Sequence, residues 1–206
     1  MTDPLAATPP AGRPRSIVPP SPVSTVRMLT RYKAWANGIA FASVMAIPDE
    51  EALKPRMTTF TNMVHTLNHM YIIDDIFRHH LTHRAHPYAA RNTEMYPPVG
   101  DLWTAAQEMD SWYIDLVDGW SGSDLSSVVN FEFVGGGAGA MTKEQIILHL
   151  VNHATYHRGF VGDMLKQVPY YWPANDLTVF LRDHYCAPDP AADAPLSQLH
   201  MRRHPS

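Results

Sequence analysis

Apolar residues recur with helical spacing along four long stretches of the chain. These stretches run from about 24 to 46, 59 to 83, 99 to 120 and 142 to 167. Within each, apolar side chains return every three or four residues, which is the period of one face of an α-helix. Prolines stand just outside most of the ends, where a helix starts or stops. Four long helices joined by short connections predict an all-α four-helix bundle.

The first two predicted helices differ in how much of their surface is apolar. The first can be capped at Ser24 and stops before Pro48. The second is apolar over much of its circumference, which indicates burial on more than one side. The predicted inward stripe of the first helix consists of Leu29, Tyr32, Trp35, Ala36 and Ile39.

The connection between the third and fourth helices predicts a small β-hairpin. Residues 128–134 are rich in valine and phenylalanine, which favour strands, and the glycine-rich run 135–139 offers a turn. A last short helix is expected from about Leu177 to His184. The fold prediction is therefore a four-helix bundle with a hairpin inserted between its third and fourth helices.

Prolines are concentrated at the two ends of the chain. Seven of the 18 prolines lie in residues 1–22 and four in the last twenty residues. Such proline-rich segments predict extended tails at 1–22 and 187–206. Because the 206-residue chain can fill one well-packed core, a single helical domain is expected over 23–186.

Charge and cysteine content exclude several classes of partner. The 16 Lys and Arg against 20 Asp and Glu give a net charge of −4, and no basic run offers a surface for nucleic acid or anionic lipid. The single cysteine, Cys186, permits no intrachain disulfide and favours a reducing compartment. No apolar run approaches the roughly 18 residues of a membrane span, and no signal-peptide pattern opens the chain. We expect a cytoplasmic protein without nucleic-acid or membrane partners.

The fourth predicted helix carries His149, His153 and His157 at four-residue steps. His153 and His157 lie in the middle of the apolar stripe, where an imidazole without a partner is costly. Either both rings bond hydroxyls or carbonyls in the core, or, being about 6 Å apart along the helix axis, they bind one metal ion. His149 lies nearer the edge of the stripe and is expected beside the site. The stripe consists of Ile146, Leu150, Val161 and Met164.

A metal site of two histidines is incomplete, because catalytic zinc sites usually use three protein ligands. The second helix offers His65 and His69. His69 is the better candidate because Ile73 and Ile76 share its face and indicate burial there. His65 has more polar neighbours and is expected beside the site. A solvated helix end is the expectation for four further histidines, His79, His80, His83 and His86.

Comparison with known metal-binding motifs argues against a zincin protease site and a di-iron site. A zincin protease has glutamate after its first histidine, whereas Ala154 follows His153. No glutamate is followed three residues later by histidine, as the ligand pairs of a di-iron bundle require. One metal ion is therefore expected rather than two. A site of two histidines and a carboxylate, Asp74 or Asp163, stays open but ranks lower, because Asp163 lies on the polar side of the fourth helix.

Three motifs, in the order found here, resemble the DinB/YfiT-like superfamily of proposed metalloenzymes. Residues 152–159, NHATYHRG, are similar to the N-H-x-x-x-H-R-G signature of that superfamily, and residues 32–37, YKAWAN, to its Y-N-x-W-A-N pattern. His69 followed by Phe77 is similar to its H-x7-W pattern. The chain departs from the superfamily at Phe77, where tryptophan is common, and at Phe160, where glutamine is common.

The resemblance implies one divalent metal ion, nickel or zinc, with His69, His153 and His157 as ligands, and it implies a homodimer. Some relatives are thiol-dependent S-transferases or isomerases, in which the metal stabilises a thiolate nucleophile. We therefore expect a metal-dependent enzyme that activates a low-molecular-weight thiol or water and acts on a small-molecule substrate. The alternatives are a metal-dependent hydrolase, for which no motif carboxylate offers a general base, and a non-enzymatic, metal-stabilised protein of a stress response.

Overall fold

Residues 21–170 and 172–185 are described by a computed structural model of the chain. The long helices within these residues are α1 (Pro22–Met45), α3 (Met63–Leu81), α4 (Val99–Asp118) and α6 (Lys143–Leu165). The shorter elements are α2 (Asp49–Leu53), α5 (Gly122–Leu125), α7 (Leu177–Asp183) and the strands β1 (Val128–Glu132) and β2 (Ala138–Thr142). The predicted tails lie outside the described residues except for Ser21 and Pro22, and Cys186 lies outside them as well.

The four long helices form a bundle in which α1 and α3 lie diagonally opposite each other. α1 packs mainly against α4 and α6, and α3 packs mainly against the same two helices. The strands β1 and β2 pair as an antiparallel hairpin before α6, with Val128 opposite Thr142. The predicted all-α four-helix bundle, with a small hairpin before its last long helix, is therefore confirmed.

Local capping chemistry sets where α1 and α6 begin. α1 starts at Pro22 rather than at the predicted Ser24, because the Ser21 side chain accepts the Ser24 N–H and proline suits the first helical turn. α6 starts after Thr142 as predicted. Thr142 and Gln145 cap each other there, the side chain of each accepting the backbone N–H of the other.

The start of α3 lies about four residues later than the sequence pattern predicts. Thr61 in the preceding loop has a left-handed backbone conformation, with φ of 57°. Asn62 then caps the helix by accepting the His65 N–H at 2.8 Å, so α3 begins at Met63. The loop before α3 thereby places Phe60 against the histidines of that helix.

The buried face of α1 is rotated from the predicted stripe. Tyr32 and Ala36 are buried as predicted, but Leu29, Trp35 and Ile39 are only half-buried. A lysine and an asparagine occupy the centre of the buried face, because both find bonding partners on other helices. Hydrophobic periodicity assigns such residues to the surface. The buried residues of α1 are Val26, Thr30, Tyr32, Lys33, Ala36, Asn37, Ala40, Phe41, Ser43 and Val44.

Two apolar clusters fill the bundle, one toward each end. They meet near the middle of the long helices, where buried polar and histidine side chains replace apolar ones. Because the buried polar side chains are concentrated there, the middle layer, rather than either apolar cluster, is where functional side chains are found.

Among the described residues, no helix is both long enough and apolar enough to cross a membrane.

Candidate metal centre

Three histidines from two packed helices converge in this middle layer. His69 belongs to α3, and His153 and His157 belong to successive turns of α6, which packs against α3. One ring nitrogen of each residue lies no farther than 4.8 Å from those of the other two. His69 Nε2 and His153 Nε2 are 3.0 Å apart. The structure thus brings together the three histidines that the sequence indicated.

The separations between these nitrogens fit a single metal ion. Two nitrogens bound at about 2.0–2.1 Å to a tetrahedral ion lie about 3.3 Å apart. The His69 and His153 nitrogens are already close to that separation at 3.0 Å. The remaining separations between ring nitrogens are 4.8 Å at most. The three imidazoles can therefore hold one divalent ion.

His69 is oriented by a backbone carbonyl on the opposite side of its ring. Its Nδ1–H donates to the Arg91 carbonyl oxygen at 2.6 Å. A carbonyl only accepts, so this bond keeps the proton on Nδ1 and leaves a lone pair on Nε2. That lone pair faces the other histidines, which is the usual arrangement of a metal-binding histidine.

The other two histidines do not behave as ordinary core residues. The Nδ1 atoms of His153 and His157 are buried, and within residues 21–170 and 172–185 neither has a hydrogen-bond partner. A core histidine would be expected to bond a hydroxyl or a carbonyl, because an unpaired buried polar atom costs free energy. The interpretation of this pair as satisfied core histidines therefore lacks the partners it requires.

All three imidazoles are held in the neutral form at pH 7. Burial, with the neighbouring His157 and His69, lowers the pKa of His153 to about 2. Burial and His69 lower the pKa of His157 to about 4. Burial also lowers the pKa of His69, against the opposing effect of its bond to the Arg91 carbonyl. Because metal ligands must be unprotonated, protons do not compete strongly with a cation here at neutral pH.

His65 and His149 lie beside the three histidines and outside the group of converging nitrogens. His65 stacks on Tyr96, with ring centroids 5.3 Å apart. The His149 ring lies 5.6 Å from that of His153 and 5.0 Å from that of Phe77. Burial lowers the pKa of His149, so this ring too is neutral.

The histidines at the end of α3 are less solvated than the sequence suggests. His83 is exposed, but the His80 ring stacks on Phe131 of β1 at 4.9 Å. Burial, together with the neighbouring His86 and His79, lowers the pKa of His80 to about 4. The prediction of a solvated helix end is wrong for His80, because the hairpin packs against this end of α3.

Neither carboxylate considered as a ligand joins the histidine group. Asp74 is buried and bonds Lys33 at 2.6 Å, and Asp163 is exposed on α6. Within the part of the chain that the structure describes, the converging side chains are His69, His153 and His157. The alternative of two histidines and a carboxylate therefore finds no support in the geometry.

Aromatic side chains line the site, and the closest of them was not indicated by the sequence pattern. Phe60 stacks on His69 with ring centroids 4.2 Å apart and lies 5.4 Å from His157. Tyr156 lies edge-on to His157 at 5.0 Å and is 61% exposed. Phe60 escapes a search by periodicity because it stands in a loop. The available signal is a lone large apolar residue in the polar run 58–62.

A layer of buried charged and polar side chains lies next to the histidines. Lys33 of α1 bonds Asp74 of α3 at 2.6 Å and Asp110 of α4 at 2.7 Å. The Asn37 amide donates to Asp110 at 3.0 Å and accepts from Arg158 of α6 at 2.9 Å. Two cations and two carboxylates therefore balance, and their bonds connect all four long helices. We call these five residues the ion layer.

Burial and charge pairing oppose each other in the ion layer. Desolvation raises the pKa of Asp74 to about 6, although Lys33 acts to lower it. Burial acts to lower the pKa of Lys33, but Asp110 and Asp74 raise it overall. Sequence reasoning missed this layer. Its signal was a lysine and an asparagine, Lys33 and Asn37, one helical turn apart on a buried face.

Comparisons with known proteins agree with this fold. The sequence profile of the DinB family matches residues 23–189. The chain is 24% identical over a 162-residue alignment to Protein DinB of Bacillus subtilis (strain 168), and the match covers 74% of this chain and 91% of that protein. It is also similar to the crystal structure of a DinB-like protein from Bacillus cereus ATCC 10987. That likeness has a TM-score of 0.52 and 13% identity, and covers 71% of this chain and 94% of the other.

Proposed function

The chain belongs to the DinB family, and we propose that it is a metal-dependent enzyme whose single divalent ion, nickel or zinc, activates a thiol or water. The proposed ligands are His69, His153 and His157. The observation that carries this proposal is the convergence of three ring nitrogens within 4.8 Å of one another. A further fact supports it: the Nδ1–H of His69 bonds the Arg91 carbonyl, so its Nε2 lone pair faces the group.

The chemistry of the donors supports the proposed metals. Imidazole nitrogen suits zinc, nickel, copper and iron, whereas magnesium and calcium prefer oxygen ligands. Three protein ligands leave at least one position of a tetrahedral ion open to a substrate atom, as in catalytic zinc sites. A purely structural zinc site has four protein ligands, and no fourth ligand lies in the group formed by the described residues.

The surrounding side chains favour a thiol over water as the activated group. A bound ion would lower the pKa of a coordinated thiol or water and stabilise the resulting anion. Hydrolysis usually also needs a general base, but the buried carboxylates Asp74 and Asp110 are already bonded to Lys33. Transfer of a thiol does not need that base once the thiolate is formed. We therefore place S-transfer or isomerisation with a low-molecular-weight thiol before hydrolysis.

Elemental analysis of protein purified without a histidine tag tests the metal site. We expect about one nickel or zinc ion per chain, and its loss in His153→Ala and His157→Ala, because each variant leaves two ligands. His149→Ala is the matched control, since it removes a half-buried histidine of the same helix and leaves the three nitrogens in place. A content below about a tenth of an ion per chain, unchanged after adding Ni²⁺ or Zn²⁺, would contradict the proposal.

A panel of low-molecular-weight thiols and electrophiles tests the activity. Metal-loaded protein should turn over at least one pair, and the turnover should disappear on chelation and return on reloading. His153→Ala should be folded and inactive. Stoichiometric metal without turnover of any pair would instead favour the non-enzymatic, metal-stabilised protein.

A further inference from the structure

The segment 91–93, between α3 and α4, is fastened to α3 by a network of side-chain hydrogen bonds. The Asn68 amide donates to Asn92 Oδ1 at 2.6 Å and to Thr93 Oγ1 at 2.9 Å. The Asn92 amide donates to the His65 carbonyl at 3.1 Å, and the Thr93 N–H donates to Asn92 Oδ1 at 3.0 Å. Asn68 is only 2% exposed, so its amide has little access to water as an alternative partner.

This network places a carbonyl against a proposed metal ligand. The first residue of the segment is Arg91, whose carbonyl oxygen lies 2.6 Å from His69 Nδ1. His69 directly follows Asn68 in α3. One buried amide therefore fastens the segment whose backbone orients the neighbouring imidazole.

We infer that Asn68 is a positioning residue for the metal site, acting on His69 through the 91–93 segment; this inference rests on the proposed metal-dependent function. A neutral imidazole carries its proton on either nitrogen, and only an acceptor beside Nδ1 keeps Nε2 free. If the Arg91 carbonyl moves away, the proton can occupy Nε2, which is the nitrogen that faces His153. The ring is then also free to rotate away from the other ligands.

The geometry distinguishes this role from general support of the loop. The same stretch of loop is also fastened by Tyr88, which bonds Asp75 at 2.7 Å, and by Tyr96, which accepts from Asn62 at 2.7 Å. These two bonds lie at either side of the 91–93 segment and would retain the loop without Asn68. The bonds of Asn68 reach Asn92 and Thr93, the residues next to the carbonyl that His69 uses.

Metal competition titrations with Zn²⁺ and Co²⁺ on Asn68→Ala test the inference. We expect roughly 10- to 100-fold weaker binding, the usual effect of losing the outer hydrogen-bond partner of a metal-binding histidine, because the Arg91 carbonyl is no longer held beside His69. The absorption spectrum of the Co²⁺ form should also change, because the coordination geometry changes. Thr30→Val is the matched control, since it removes a hydrogen bond from a residue only 3% exposed on α1, away from the site. Its metal affinity should equal that of the unmodified protein even if its stability falls.

Nitrogen NMR of the metal-free protein gives a readout that does not depend on metal. His69 should carry its proton on Nδ1 in the unmodified protein and populate the Nε2 form in Asn68→Ala. Asn92→Ala should do the same, and it replaces Asn68→Ala if that variant does not fold. Unchanged tautomer and unchanged affinity would overturn the inference. Failure of the unmodified protein to bind metal would instead overturn the proposed function, leaving the tautomer measurement to decide the role of Asn68.

Discussion

The histidine group and the ion layer are neighbouring polar regions of one bundle, but they differ in how their buried polar atoms are bonded. In the ion layer, Lys33 meets two carboxylates within 2.7 Å, and positive and negative charges balance. In the histidine group, two rings have buried Nδ1 atoms that find no hydrogen-bond partner among the described residues, and the Nε2 atoms of His69 and His153 lie 3.0 Å apart. In the ion layer, side chains of the same chain supply the bonding partners. The histidine group brings one ring nitrogen from each of three histidines within 4.8 Å of the others, a spacing that one bound cation could bridge.

This difference assigns stability to the ion layer and the proposed function to the histidine group, although both lie in the middle layer of the bundle. The members of the ion layer bond one another. They therefore hold the helices in register and need no external ligand. A buried group of converging ring nitrogens destabilises the fold when it has no partner. Such groups are retained where a bound ligand supplies that partner. Charge substitutions should therefore damage folding, whereas histidine substitutions should damage metal binding.

The largest expected effect comes from breaking the ion layer. Lys33→Met leaves two buried carboxylates without their cation, so we expect a loss of about 3–5 kcal/mol in the free energy of unfolding. Urea denaturation of the metal-free protein measures it. Lys54→Met is the control, because Lys54 is paired with Glu51 on the surface and such pairs contribute about 0–1 kcal/mol. A loss below about 1 kcal/mol for Lys33→Met would mean that the ion layer does not stabilise the fold.

A smaller effect is expected from adding metal. A ligand that binds only the folded state stabilises it by about 2.7 kcal/mol at 100 times its Kd. The unmodified protein should gain this amount with Zn²⁺ or Ni²⁺, and His157→Ala should gain almost none. Thermal unfolding with and without metal measures the difference. An equal gain in both proteins would show that the ion binds elsewhere, for example at the histidines that end α3.

The pH dependence of the metal-free protein tests the histidine group in the absence of metal. The pKa values of His153 and His157 are lowered in the folded state, to about 2 and about 4, from an ordinary value of 6.5. The unfolded chain therefore binds more protons below pH 6.5, so stability is complete above that pH and falls as the pH drops toward 4. His153→Gln/His157→Gln should show a shallower fall between pH 6.5 and 4 in urea denaturation. An unchanged slope would place the acid sensitivity in other groups.

The sequence predicted the three histidines because helical periodicity is a local property. His153 and His157 stand in the apolar stripe of α6, and His69 shares a face with buried isoleucines of α3. The same periodicity located the four long helices, and a run of valine and phenylalanine before a glycine-rich turn located the hairpin. It misplaced the buried face of α1, because Lys33 and Asn37 are buried by partners that come from other helices.

The contacts that two distant loops make with His69 are visible only in the packed bundle. Phe60 and the Arg91 carbonyl touch His69 from two loops, and neither loop carries a periodic signal. A backbone carbonyl leaves no trace in the amino-acid sequence at all. The chain's pattern of apolar and polar residues was thus enough to predict the helices and to favour the three histidines that they bring together. The orientation and protonation of those histidines depend on contacts between distant segments, because hydrogen bonds and burial arise only when the helices and loops are packed together.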